Sequence, residues 1–244
     1  MKRSAAALAA VAAAGFAHAD VVDLVIFEII ATDLDSGVSE TRTFTVDAGT
    51  NSADAIEWTL PDQVTFGDIG RLDEASISVN TNGGANRSGG TGQSVTADFS
   101  VFASTQNAGF QINSAVVSFS QIDAADALGF ASAAIVLNDV LGDGATLTPG
   151  SGGGYNAIIN GNTASPFATL FPAGAPLVGS GNFGDDSGSF LPTGTDVNSI
   201  SVQWNFALSG FDSATGTSTF TVVPAPASAA LLGLGGLAAA RRRR

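Results

Sequence analysis

Residues 199–208 read Ser-Ile-Ser-Val-Gln-Trp-Asn-Phe-Ala-Leu. Successive side chains of an extended chain point to opposite sides, so Ile200, Val202, Trp204, Phe206 and Leu208 share one face. Ser199, Ser201, Gln203 and Asn205 share the other. A period of two held over five apolar positions predicts a half-buried β-strand. A loop at 210–215 follows, and residues 217–223 read as the partner strand.

The same signal recurs towards the N-terminus. Residues 95–103 alternate Val95, Ala97, Phe99 and Val101 against polar neighbours, and 76–80 alternate Ile77 and Val79 against Ser and Asn. Further strands are expected at 21–32, 41–46, 55–60 and 112–120. Asp33-Leu34-Asp35-Ser36-Gly37 reads as a turn, and the Gly- and Asn-rich stretch 81–92 as a mobile loop. Residues 123–138 are Ala-rich with Asp123 and Asp126 near the start, which favours a short helix at 124–128 and then a buried strand at 130–137. Residues 142–194 read as loop-heavy, with glycines and prolines punctuating short apolar pieces such as 155–159 and 167–171. Six or more strands, Gly/Asn/Asp turns and no fixed-period repeat indicate an all-β, single β-sandwich body, jelly-roll-like in type.

Charge is distributed unevenly. Residues 20–222 hold all 22 acidic residues and three basic ones, Arg42, Arg71 and Arg87, a formal charge of −19. Such a body repels nucleic acid and anionic membranes. It attracts cations, calcium foremost. The chain has no Cys, its one His is His18 and its one Lys is Lys2. Disulfides, Ser-His-Asp triads, Cys-His dyads, Schiff-base chemistry and His-ligated zinc therefore have no residues to use within 20–222. Carboxylate chemistry remains, as calcium sites or glycosidase-type acid pairs. No catalytic residue is assigned.

The closest acidic pairs are Asp33/Asp35, Asp139/Asp143 and Asp185/Asp186. None completes an EF-hand spacing, and Asp also stabilises turns on its own account. Trp58, Tyr155 and Trp204 are the aromatics able to stack on sugar rings. Trp204 lies in phase with four apolar residues and belongs to a core, which leaves Tyr155 as the best exposed platform. Gly179-Ser180-Gly181-Asn182-Phe183-Gly184 has the spacing of a nucleotide loop but runs into Asp185 and Asp186, which repel a pyrophosphate. Leu191-Pro192-Thr193-Gly194 reads as a turn. Asn86-Arg87-Ser88 fits an N-glycosylation acceptor.

The two ends carry a different message. Lys2 and Arg3 precede an Ala-rich apolar stretch that closes on Ala17-His18-Ala19. This is the n-region, h-region and small-x-small pattern of a signal peptide over residues 1–19, with Ala17 and Ala19 as the positions read by signal peptidase. At the other end Val223, Pro224, Ala225 and Pro226 lead into an apolar run at 227–240. Arg241, Arg242, Arg243 and Arg244 follow. Cations beside an apolar run stay cytoplasmic, which places the body across the membrane. The run is short beside the about 20 apolar residues of a lasting span.

Residues 223–244 resemble the PEP-CTERM sorting domain of Gram-negative bacteria: a Val-Pro-Glu-Pro-like motif, a hydrophobic helix and an Arg cluster. Val223, Pro224 and Pro226 match the motif, and Ala225 stands where the family usually has Glu. The resemblance implies recognition by an exosortase-type enzyme, transient residence in the inner membrane, removal of the tail and delivery to the cell surface or an exopolysaccharide matrix. It implies nothing about the activity of residues 20–222. The leading expectation is a non-catalytic, exported surface or matrix protein. A carbohydrate-binding module for polysaccharide is the second reading, and a carboxylate-based glycan-active enzyme the third.

Overall fold

The computed structural model describes residues 24–46, 55–80 and 92–224. Among the described residues there are strands and turns but no helix. The strands are β1 Leu24–Asp33, β2 Ser39–Val46, β3 Ala55–Thr59, β4 Val64–Phe66, β5 Gly70–Asn80, β6 Gln93–Ala103, β7 Ala108–Ser114, β8 Val117–Ile122 and β9 Ala127–Asn138. They continue as β10 Thr146–Pro149, β11 Tyr155–Ile159, β12 Ala168–Leu170, β13 Leu177–Val178, β14 Gly181–Asp186, β15 Leu191–Pro192, β16 Val197–Leu208 and β17 Ser213–Pro224.

They form two antiparallel sheets around one shared core, the arrangement of a β-sandwich. The first sheet runs β12-β11-β16-β7-β1-β2, with β8 and β10 also on β16 and β13 on β10. The second runs β14-β9-β17-β6-β5-β3, with β15 on β9 and β4 on β5. In β16, Ile200, Val202, Trp204, Phe206 and Leu208 are all buried, as the alternation requires. The rings of Phe99 on β6, Trp204 and Phe206 meet between the sheets. Phe99 stands edge-on to Trp204 at 5.3 Å and stacks on Phe206 at 5.8 Å. Burying each such ring contributes about 1.5–3 kcal/mol from apolar area alone.

β16 and β17 are not partners in one sheet, contrary to the reading of 217–223. β16 lies between β11 and β7, and β17 between β9 and β6 in the opposite sheet. Residues 209–212 carry the chain across the sandwich instead of turning it back in a hairpin. Residues 139–145 make another of the several crossings, from β9 in the second sheet to β10 in the first.

The expected helix at 124–128 is absent. The Asp126 amide donates to the Asp123 carbonyl at 2.9 Å and the Ala124 amide to Asp196 Oδ1 at 2.8 Å, which closes a turn. One helical turn is too short to sustain itself. β9 begins at Ala127 and pairs with β17 along its whole length. Its small residues Ala127, Ala131 and Ala133 alternate inward with Ile135 and Leu137, so the Ala content reflects space between sheets and not helix propensity. The 112–120 region is two strands, β7 and β8, interrupted at Ala115. Residues 142–194 hold six short strands, more order than their glycines and prolines suggest.

Candidate functional site

Three acidic pairs carried the sequence-based case for a cation, and the structure separates them. Asp33 caps its own turn. Its Oδ1 accepts the Asp35 and Ser36 amides at 2.9 and 3.3 Å, and its Oδ2 accepts the Ser36 hydroxyl. The Ser36 hydroxyl, ahead of the Asp35 amide, holds the Asp33 carboxyl below its ordinary pKa. Asp185 and Asp186 are likewise spent on backbone. Asp185 Oδ2 accepts the Phe171 amide at 3.1 Å, and Asp186 Oδ1 accepts the Gly188 amide at 2.6 Å.

Asp139 and Asp143 are different, because the fold brings them a third carboxylate. Asp139, Asp143 and Asp212 each place a carboxylate oxygen within 4.8 Å of the other two. Asp139 and Asp143 belong to the β9–β10 crossing and Asp212 to the β16–β17 crossing, so the cluster lies where two inter-sheet loops meet.

Each side chain is placed by local structure. Asp139 Oδ1 accepts the Gly142 amide at 2.6 Å and its Oδ2 the Gly144 amide at 2.9 Å. Gly142 and Gly144 have φ of 78° and 108°, backbone that only glycine adopts readily, and this lets the loop fold back on its own carboxylate. The Asp139 amide donates to Ser180 Oγ at 2.9 Å, which ties the loop to the start of β14. Asp212 follows Phe211, a non-glycine residue at φ 62° whose amide donates to the Ala103 and Ser104 carbonyls at 3.1 and 2.6 Å. The Asp212 carbonyl in turn accepts the Ala103 amide at 2.9 Å.

Asp212 is 1% exposed. The Ser209 hydroxyl donates to its Oδ2, while its Oδ1 is buried with no hydrogen-bond partner. A buried carboxylate oxygen left unpaired is costly unless a cation or donor meets it. The arginines of the described residues are engaged elsewhere: Arg42 pairs with Glu40 at 2.9 Å and Arg71 with Asp73 at 2.7 Å. Sequence reasoning found Asp139 and Asp143 but passed over Asp212. A lone Asp between two strong strands looks like any loop residue, and only its burial sets it apart.

Neither Tyr155 nor Trp204 presents an exposed ring to a sugar. Tyr155 is fully buried, against the expectation of an exposed ring. It opens β11, pairs with Trp204 across the ladder and meets that indole edge-on at 5.2 Å. Burial pushes the Tyr155 phenol far up, and the Ser218 hydroxyl offsets this only in part. The phenol oxygen has no hydrogen-bond partner of good geometry. Trp58 is half-buried against Phe27 and Phe44, at 5.6 and 5.2 Å. A shallow, open depression of about 560 Å³ on the outer face of the second sheet is lined by Ser132, Asp185, Asp186, Thr217 and Thr219 among others, a hydroxyl- and carboxylate-rich surface.

Val223 and Pro224 are the last residues of β17, pairing with Leu128 and Ala127 of β9. The remainder of the tail, Ala225, Pro226 and Arg241–Arg244 with the apolar run between, lies outside the described residues. So do the 1–19 segment with Ala17 and Ala19, the 81–91 stretch with Arg87, and the cleavage point before Asp20. Among the described residues no helix is long and apolar enough to cross a membrane.

The class of protein this defines is an acidic antiparallel β-sandwich with a carboxylate cluster between its crossover loops. No family model matches the sequence, and no curated protein matches it. Among solved structures it is similar to chains in "Structure of infectious bursal disease virus Gx strain" and in the corresponding Gt strain structure. The first shows 13% identity over 81% of this chain at a TM-score of 0.23, the second 10% over 87% at 0.21. This chain spans 56% and 63% of the length of those two chains. Similarity at that level carries no functional argument.

Proposed function

We propose that this chain is an exported, non-catalytic protein of the cell surface or extracellular matrix, in which a jelly-roll-like acidic body is sorted through its PEP-CTERM-like tail. The observation that carries this reading is the sequence of residues 223–244: a Val-Pro-x-Pro motif, an apolar run and Arg241–Arg244. An exosortase-type enzyme would read Val223, Pro224, Ala225 and Pro226 while the apolar run sits in the inner membrane with its arginines on the cytoplasmic side. Signal peptidase would act after Ala19. The acidic body fits such a destination, since like charge keeps exported proteins soluble and away from anionic lipid. Repeated crossing between sheets, at 139–145 and 209–212, supports the jelly-roll-like description.

Intact mass spectrometry of the protein recovered from the native surface and medium tests this. The expected mass lacks both the residues before Asp20 and those beyond the motif, with any added group retained at the new C-terminus. A mass that includes Arg241–Arg244 would make the tail a plain membrane anchor and remove the matrix assignment.

A second reading, polysaccharide binding, is favoured by the outer-face depression with Asp186, Ser132, Thr217 and Thr219, whose hydroxyls and carboxylate suit sugar hydroxyls. Retention on a polysaccharide affinity gel that is lost in Asp186→Ala would support it. No retention on a broad panel would end it.

A further inference from the structure

We propose that Asp139, Asp143 and Asp212 bind a calcium ion that ties the two crossover loops together. This is independent of the sorting proposal. Three features point to it. Oxygens each about 2.4 Å from a common calcium ion can be at most about 4.8 Å apart, and the three carboxylates meet that condition. Asp212 is almost wholly buried and its Oδ1 has no partner, so a carboxylate of the cluster carries a buried acceptor with its desolvation already complete and nothing to compensate it. Asp139 is fixed in place by two glycine amides, which leaves its second lone pairs available to a metal.

The donor set selects the ion. Only oxygen is on offer, with no His or Cys in the cluster, which suits a hard cation over zinc or copper. Calcium accepts irregular sets of six to eight oxygens and completes its shell with carbonyls and water, whereas magnesium demands a near-ideal octahedron. One divalent ion would leave the three carboxylates with a single net negative charge. It would also join residues far apart in sequence, at two places where the chain passes from one sheet to the other.

The test uses the full-length chain, stripped with chelator and titrated with CaCl2 by calorimetry, with thermal unfolding in parallel. Expected is a saturable one-site isotherm with Kd on the order of 10⁻⁴–10⁻³ M or tighter. The unfolding midpoint should rise by about 4 °C or more at saturating calcium. MgCl2 should bind more weakly. Asp143 is exposed, so Asp143→Asn keeps the fold, and its calcium affinity should fall by about tenfold. Asp212→Asn should abolish saturable binding. Asp62→Asn, on an exposed turn outside the cluster, should bind as the parent does. Absence of saturable binding in the parent overturns the proposal. So does an unchanged affinity in Asp143→Asn, or an equal loss in Asp62→Asn, which would mean diffuse attraction to the acidic surface.

Discussion

The Trp204 indole Nε1 donates a hydrogen bond to Ser218 Oγ at 3.1 Å, and this bond passes from β16 in one sheet to β17 in the other. Both residues are buried, so the pair satisfies a polar group that the apolar face of β16 carries into the core. Ser218→Ala leaves the indole N–H unpaired and should cost about 1–3 kcal/mol. Urea unfolding followed by tryptophan fluorescence measures this. A loss well under that range would mean the bond contributes little.

Tyr155 makes the opposite case. Its ring packs on Trp204 while its hydroxyl, close to that of Ser218, makes no hydrogen bond of good geometry. Tyr155→Phe removes an unsatisfied group without altering the packing, and should be neutral or stabilising by up to about 1 kcal/mol. Tyr155→Ala should cost about 3–5 kcal/mol through the cavity it opens. The same pair of variants bears on sugar binding: Tyr155→Phe should leave polysaccharide retention unchanged, because the ring does not reach solvent.

Gly216 lies on the inward side of β17 directly beneath Phe99. A Cβ built there would sit 2.3 Å from the Phe99 ring, which is itself held against Trp204 and Phe206. Gly216→Ala should destabilise by about 1–3 kcal/mol through overpacking. A midpoint shift in urea at unchanged slope would register it. An unaltered midpoint would show that Phe99 can swing aside.

Asp33 offers a test in acid. Its carboxyl is held below the ordinary value of 3.8, chiefly by the Ser36 hydroxyl. A folded-state pKa below the unfolded one contributes stability that is present above the unfolded pKa and lost as pH falls through the folded pKa. Carboxyl NMR should place the Asp33 midpoint below 3.8 in the parent, and Ser36→Ala should move it upwards. An unmoved midpoint would assign the shift to the Asp35 and Ser36 amides alone.

The sequence alone determined the long alternating strands of this protein and the faces they bury, but not the six short strands within 142–194. The period-two pattern at Ile200, Val202, Trp204, Phe206 and Leu208 fixes which side of β16 is apolar, because alternation is a property of the extended backbone itself. Likewise the Asp33–Gly37 turn follows from an aspartate whose side chain bonds its own backbone. Tertiary structure alone decided what lies opposite each face. Alternation in β17 is the same whether the chain returns as a hairpin or crosses to the other sheet, so nothing local says that Ser218 meets Trp204 across the core. Tyr155 is aromatic in either setting, and only β11 lying beside β16 buries it. Asp212 is an ordinary loop aspartate until two crossings meet and enclose it with Asp139 and Asp143. Burial is a relation between distant segments, and local sequence pattern does not encode that relation.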